Sequence, residues 1–142
     1  MPRKDAKLDH LARVPLFSAL SKKELQTLGR ASDEIEVDAG KVLCEEGKPG
    51  HEFFLILDGE AAVKRGKKTV AKLVAGRFFG ELSLLDRGPR SATVVADSPM
   101  TLLVLGQREF SGILDQLPGV SRKLLCSMAE RLRDADTKAF SH

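Results

Sequence analysis

Phe78-Phe79-Gly80-Glu81-Leu82-Ser83-Leu84-Leu85-Asp86-Arg87-Gly88-Pro89-Arg90-Ser91-Ala92-Thr93-Val94 is the stretch around which the chain is organised. Two phenylalanines close a strand-like run. The glycine after them can take backbone angles that other residues avoid. Glu81 to Leu85 suit one short helical turn, whose first N–H groups lack partners within the turn and so favour an anion. Pro89 stiffens the exit, and Arg90 adds a planar cationic fork matched to a phosphate. Taken alone, the segment is an anion cradle holding one acid and one guanidinium. An internal Glu81–Arg90 ion pair that merely steadies a loop is the other reading it allows.

Upstream, apolar residues recur at the strand period. Ile35–Asp38 alternates, Ala39-Gly40 turns, and Lys41–Glu45 is a second short strand. Phe53–Leu57 is a nearly continuous apolar run, which suits a strand buried in a sandwich core. Asp58-Gly59 is strong hairpin chemistry, and Ala61–Lys64 is the expected partner strand. Arg65-Gly66-Lys67-Lys68 forms a basic turn into Thr69–Val74, and Ala75-Gly76 leads to Arg77-Phe78-Phe79. Beyond the opening stretch, Ala92–Ala96 and Met100–Leu105 are two more strands. About eight short strands with frequent turn signals predict an antiparallel sandwich or barrel.

Helical periodicity flanks this region. Leu8, Leu11, Val14 and Leu16-Phe17 are spaced for a helix interrupted by Pro15. Ser18 or Ser21 is placed to cap a second helix through Leu25 and Leu28, with Glu24 spaced for a capping box from Ser21. After the strands, Arg108–Leu117 places Phe110, Ile113, Leu114 and Leu117 on one face. Pro118-Gly119 punctuates, and Val120, Leu124, Leu125, Met128 and Leu132 form an apolar stripe on a last helix. Asp134–His142 is polar and is expected to fray.

The chain has 142 residues, 42% hydrophobic and 30% charged, with net charge +3. These values suit one soluble domain with a real core. The small basic excess fits an anionic ligand, but a solvated surface of mixed charge explains it equally well. There is no Trp or Tyr, and no basic stripe interleaved with aromatics, so direct nucleic-acid binding is not expected. Cys44 and Cys126 have no metal-ligand spacing and read as buried thiols of a reducing compartment. The start lacks the apolar core of a signal peptide, and no run reaches the ~20 apolar residues of a membrane helix. A cytoplasmic domain without a membrane segment is the expectation.

Helical preface, eight strands and two closing helices, with Phe79-Gly80-Glu81-Leu82-Ser83-Leu84 leading to Pro89-Arg90-Ser91-Ala92-Thr93-Val94, resemble the cyclic nucleotide-binding domain family. Its members include the regulatory subunit of cAMP-dependent protein kinase, the catabolite activator protein and bacterial cyclic-nucleotide-gated channels. The resemblance covers almost the whole chain, and Gly47, Gly50 and Gly59 match the family's turn glycines. It implies a mainly β fold, an eight-stranded antiparallel jelly-roll β-barrel with an N-terminal helical preface and two C-terminal helices. Residues 1–142 form one domain in this reading: 8–30 the preface, 35–106 the β-roll, 79–93 the phosphate-binding cassette and 108–136 the hinge and lid helices.

The resemblance also implies roles. Glu81 accepts a hydrogen bond from the ribose 2′-hydroxyl, Arg90 pairs with the phosphate oxygens, and Ser91 donates its hydroxyl or N–H to the phosphate. Gly80 and the N–H groups of Leu82, Ser83 and Ala92 complete the cradle. Thr93 either points into the base pocket or is an ordinary strand residue. Val74 and Leu82 line an apolar slot for the purine, and Arg131 on the last helix covers the base. The ligand is cAMP or cGMP, with cAMP favoured by the wider Pro-Arg-Ser-Ala-Thr pattern; no cofactor is implied. Leu57 stands where some kinase domains carry an aspartate that orients the cassette arginine, so no relay through that residue is expected. Leu84 and Leu85 against Phe110 are the expected mechanical link to the last helix.

Two other functions fit the residues less well. Jelly rolls also build metal-holding cupins, but His10, His51 and His142 show no paired spacing, and no nucleophile–base arrangement is visible, so an enzyme is not expected. A protein-interaction module that kept the fold and lost the ligand is opposed by the intact Glu81 and Arg90. No helix-turn-helix, kinase, cyclase or channel segment is recognisable, and the effector is left open.

Overall fold

A computed structural model describes residues 2–86 and 88–140. It divides into a helical unit, Met1–Gly29 with Gly112–His142, and a β unit, Arg30–Ser111.

The β unit contains β1 (Asp33–Val37), β2 (Val42–Cys44), β3 (Glu52–Asp58), β4 (Ala61–Arg65), β5 (Lys68–Leu73), β6 (Phe78–Phe79), β7 (Thr93–Ala96) and β8 (Met100–Gly106). They pair into two antiparallel four-stranded sheets, ordered β1-β8-β3-β6 and β2-β7-β4-β5. The pairs are nested, with β4–β5 innermost, then β3–β6, β2–β7 and β1–β8. This is the plan of a double-sheet jelly roll. The eight antiparallel strands expected from the sequence are present, but among the described residues no ladder joins the two sheets into a barrel. With only two residues, β6 offers little edge to extend one.

Side chains from both sheets meet in one core. Phe54 and Ile56 of β3 and Met100, Leu102 and Val104 of β8 cluster with Ala61 of β4 and Val94 and Ala96 of β7. On the other face of the same strands, Phe53, Leu55, Leu103 and Leu105 are also fully buried. Burial on both faces explains why β3 reads as an unbroken apolar run. Each such side chain contributes about 1.5–3 kcal/mol of transfer free energy.

One expectation from the sequence is corrected. Asp58-Gly59 does not close a hairpin, because β3 bonds to β8 and β6 while β4 bonds to β7 and β5. The turn carries the chain from one sheet to the other. Gly59 has φ +98°, and a Cβ there would lie 2.5 Å from the Pro99 carbonyl, so only glycine fits. The tight hairpin is β4–β5, where Arg65 faces Lys68 across Gly66-Lys67.

The helices are α1 (Pro2–Ala12), α2 (Lys22–Ala31), α3 (Gln107–Gln116) and α4 (Pro118–Phe140). The capping box ahead of α2 forms, with the Ser21 N–H donating to Glu24 Oε1 at 2.8 Å and the Glu24 N–H to Ser21 Oγ at 3.1 Å. Lys123 of α4 also binds that carboxylate, at 2.6 Å. Pro118 begins α4, where its missing N–H costs nothing. This helix continues to Phe140, through the polar tail expected to fray. Its apolar stripe is only partly buried. Val120 and Leu124 are covered, whereas Leu125 and Leu132 are each 66% exposed. Leu125 lies about 100° round the helix from Leu124 and shares a face with Leu132. Cys126 is likewise exposed, and Cys44 only partly buried, contrary to the expectation of two buried thiols.

Candidate functional site

The Phe78–Val94 stretch forms one wall of a cavity in the β unit of about 410 Å³. Its lining includes Phe79, Gly80, Glu81, Ser83, Arg90, Ser91 and Ala92 from the stretch, with Cys44 and Val63 opposite. That volume suits a small organic ligand.

The geometry follows from the local sequence. Phe79 of β6 stacks on Phe54 of β3, ring centroids 4.8 Å apart, and anchors the entrance. Gly80 turns the chain at φ +83° into a 3-10 turn, Glu81–Leu84. The exit is clamped to the Gly47–Gly50 turn. The Arg90 N–H donates to the Lys48 carbonyl at 2.8 Å, the Gly47 N–H to the Arg90 carbonyl at 2.9 Å, and Pro49 bridges Pro89. The Arg90 backbone is therefore held before any side-chain interaction is counted.

The Arg90 side chain lies across the seam between these segments. Its Nη1 donates to Ser83 Oγ at 2.9 Å, and its Nη2 to the Glu52 carbonyl at 3.0 Å. Its Cζ sits 5.9 Å from the centroid of the Phe54 ring, within cation–π range. Two glycines make room for it: a Cβ on Gly50 would lie 2.6 Å from Arg90 Cζ, and one on Gly80 2.5 Å from Arg90 Nη1. Among the described residues no carboxylate forms an ion pair with Arg90. The guanidinium is held by neutral acceptors and keeps its charge at the cavity wall. Burial pushes the Cys44 thiol up from its ordinary pKa, while the Arg90 charge opposes that shift.

The cavity brings together most of the residues singled out from sequence. Gly80, Glu81, Ser83, Arg90, Ser91 and Ala92 all line it. The Ser83 N–H is already used inside the turn, donating to the Gly80 carbonyl at 3.0 Å. Thr93 is absent from the lining, and its hydroxyl accepts the Glu46 N–H at 3.0 Å. Val74 follows β5, is 50% exposed and is absent from the lining. Val63, Phe79 and Val94 supply the apolar wall instead. Arg131 is an exposed residue of α4, in the helical unit. The Leu82 side chain and Arg87 lie outside the described residues.

Sequence reasoning missed three contributors. The Glu52 acceptor is a backbone carbonyl, which carries no sequence signal. Gly50 has the sequence context of a turn residue, whereas in the fold it makes space for a guanidinium. The Gln107 side chain donates to the Ser83 carbonyl at 3.2 Å and reaches the Asp86 carbonyl at 3.5 Å, tying the stretch to the first residue of α3. Leu84 is buried and Leu85 is exposed. Among the described residues there is no cluster of three potential metal ligands, and no helix is long and apolar enough to cross a membrane.

Comparison with known proteins adds an independent line. The model of the cyclic nucleotide-binding domain matches residues 34–117. A cAMP-dependent protein kinase regulatory subunit of Hypocrea atroviridis is 37% identical over 113 residues, covering 80% of this chain. The chain spans only about a quarter of that protein, 24% of its length. Among solved structures, the N-terminal domain of a transcriptional regulator from Streptomyces coelicolor A3(2) is similar with a TM-score of 0.85 and 33% identity, covering 94% of this chain and 98% of that one. The regulatory domain of Toxoplasma gondii PKA, solved with cAMP, is similar with a TM-score of 0.72 and 31% identity, over 79% of this chain and 44% of that one. The family model and the relatives agree with the fold, and the chain belongs to the cyclic nucleotide-binding domain family.

Proposed function

We propose that residues 1–142 form one regulatory sensor domain that binds a cyclic nucleotide, cAMP in preference to cGMP, and passes occupancy on through its C-terminal helices. The observation that carries this reading is Arg90, a cation without an ion-pair partner among the described residues, on a cavity it shares with Glu81 and Ser91. Arg90 supplies the counter-charge and fork for the phosphate. Glu81 accepts from the ribose 2′-hydroxyl, and Ser91 donates to a phosphate oxygen, with the N–H groups of Leu82 and Ala92 nearby. The purine lies on the Val63, Phe79 and Val94 wall rather than on Val74. Two or three bonds to the charged phosphate, at ~1.5–3 kcal/mol each, with burial of the base, are enough for a micromolar complex.

Transmission runs through the Gln107 amide, which binds cassette carbonyls at the start of α3. A shift of the 3-10 turn towards the phosphate pulls on that bond. The role is binding rather than catalysis, and a protein kinase is the effector class suggested by the name of the fungal relative. Isothermal titration with cAMP and cGMP tests the reading. Micromolar binding of cAMP, weakened at least tenfold in Arg90→Ala, is expected. No heat at millimolar nucleotide from well-folded protein overturns it, and leaves a module that kept the fold without the ligand.

A further inference from the structure

The geometry points to Ser83 as a positioning residue: its hydroxyl, with the Glu52 carbonyl, aims the Arg90 guanidinium into the cavity without a carboxylate. The inference rests on the nucleotide-binding reading above. A free arginine samples many rotamers, and a phosphate that recruits it must freeze them. Bonds made before the ligand arrives remove that cost, which is preorganisation. A carboxylate would also hold the fork, but it would neutralise the charge and compete with the phosphate for it. A hydroxyl and a carbonyl fix the direction and leave the charge.

The site has the features such a seat needs. Ser83 is 8% exposed, and its place is set by the 3-10 turn through its own N–H. Its Oγ accepts from Nη1 at 2.9 Å, and the Glu52 carbonyl from Nη2 at 3.0 Å. Phe54 lies against the guanidinium, and Gly50 and Gly80 bound the slot. The two bonds use two of the five N–H donors of the fork, so a phosphate can be met by the others. An alanine at 83 would leave the backbone turn intact and remove only the hydroxyl.

The test combines calorimetry with NMR of the Arg90 side chain. Ser83→Ala is expected to weaken cAMP binding about tenfold, the effect of one hydrogen bond to a charged group. Ser83→Thr, which keeps the hydroxyl, is expected to restore affinity to within about threefold. On an Arg90→Ala background, Ser83→Ala is expected to change affinity less than about twofold, since there is no guanidinium left to aim. In the nucleotide-free protein, the Arg90 Nη resonances are expected to be slowed in rotation, and to lose that slowing in Ser83→Ala. An unchanged affinity in Ser83→Ala overturns the proposal. So does a tenfold loss that persists without Arg90, because the hydroxyl then touches the nucleotide itself. If the native chain binds neither cAMP nor cGMP, the sensor reading fails by itself, and the Arg90 resonances of the free protein still decide whether Ser83 seats the guanidinium.

Discussion

Replacing Gly50 with alanine should separate binding from folding. Gly50 is buried and has no positive φ, so its backbone accepts an alanine. A Cβ there would lie 2.6 Å from both Arg90 Cζ and Ser83 Oγ. An ordinary carbon contact is ~3.5 Å, so the guanidinium must retreat by about 1 Å. The 2.9 Å bond to Ser83 does not survive that retreat, because N–H···O bonds fade beyond about 3.2 Å. What moves is the far end of a flexible side chain, not backbone. The expected loss of fold stability is therefore under about 1 kcal/mol, a fall in Tm of roughly 3–5 °C for a chain of this size. One or two misdirected bonds to a charged group, at ~1.5–3 kcal/mol each, should weaken cAMP binding by about 10- to 100-fold. Calorimetric titration measures the second quantity, and denaturant unfolding the first. Affinity within twofold of native would refute the reasoning. So would a stability loss of several kcal/mol, which would make Gly50 part of the scaffold.

Glu81→Gln is expected to weaken cAMP binding about tenfold while leaving 2′-deoxy-cAMP binding unchanged; equal losses for both ligands would deny Glu81 its place at the ribose. Cys126 is exposed and Cys44 lines the cavity with its pKa raised by burial, so a thiol reagent should modify Cys126 first, and saturating cAMP should slow only Cys44. Indifference of Cys44 to nucleotide would place the ligand elsewhere. The Lys123 hydrogen bond holds the Glu24 carboxyl below its ordinary range, so this pair stabilises the fold above the unfolded glutamate value of about 4.3 and loses its effect as pH falls through the lower folded value. With Glu24 and Lys123 side chains 16% and 39% exposed, Lys123→Met should cost about 0.5–1 kcal/mol near pH 7, and the gap to native should narrow by about pH 3. Urea unfolding at the two pH values measures it, and a constant gap would assign the cost to packing.

The strands were legible because alternation and turn residues are local signals. Phe53–Leu57 and Met100–Leu105 announced a covered sheet, and the Ser21–Glu24 cap formed as spaced. Strand partners were less legible. Asp58-Gly59 has the chemistry of a hairpin, yet the competing pairs β3–β8 and β4–β7, set far apart in sequence, decided where its strands went. Apolarity alone also misplaced Leu125 and Leu132, which sit where no layer covers them within their own unit. At the cavity the charged and hydroxyl groups were visible in the sequence. The Glu52 carbonyl and the steric role of Gly50 were not, because a backbone acceptor and a missing Cβ look the same in any sequence context.

The nested strand order has a consequence for folding. Arg65 meets Lys68 across a two-residue loop, whereas Asp33 must find Val104 across nearly the whole β unit. Loop-closure entropy rises with each ladder, so the nest is expected to close from β4–β5 outward, and slowly, as other non-local β topologies do. The cavity draws its walls from β2, β4, β6 and β7, through Cys44, Val63, Phe79 and Val94. It exists only once the inner three of the four nested pairs have formed. A nucleotide would therefore have no purchase on partly zipped chains, and its binding energy would be added to global unfolding rather than to local opening. Hydrogen exchange would register this as a common slowing of the β2, β4 and β7 amides on saturation with cAMP.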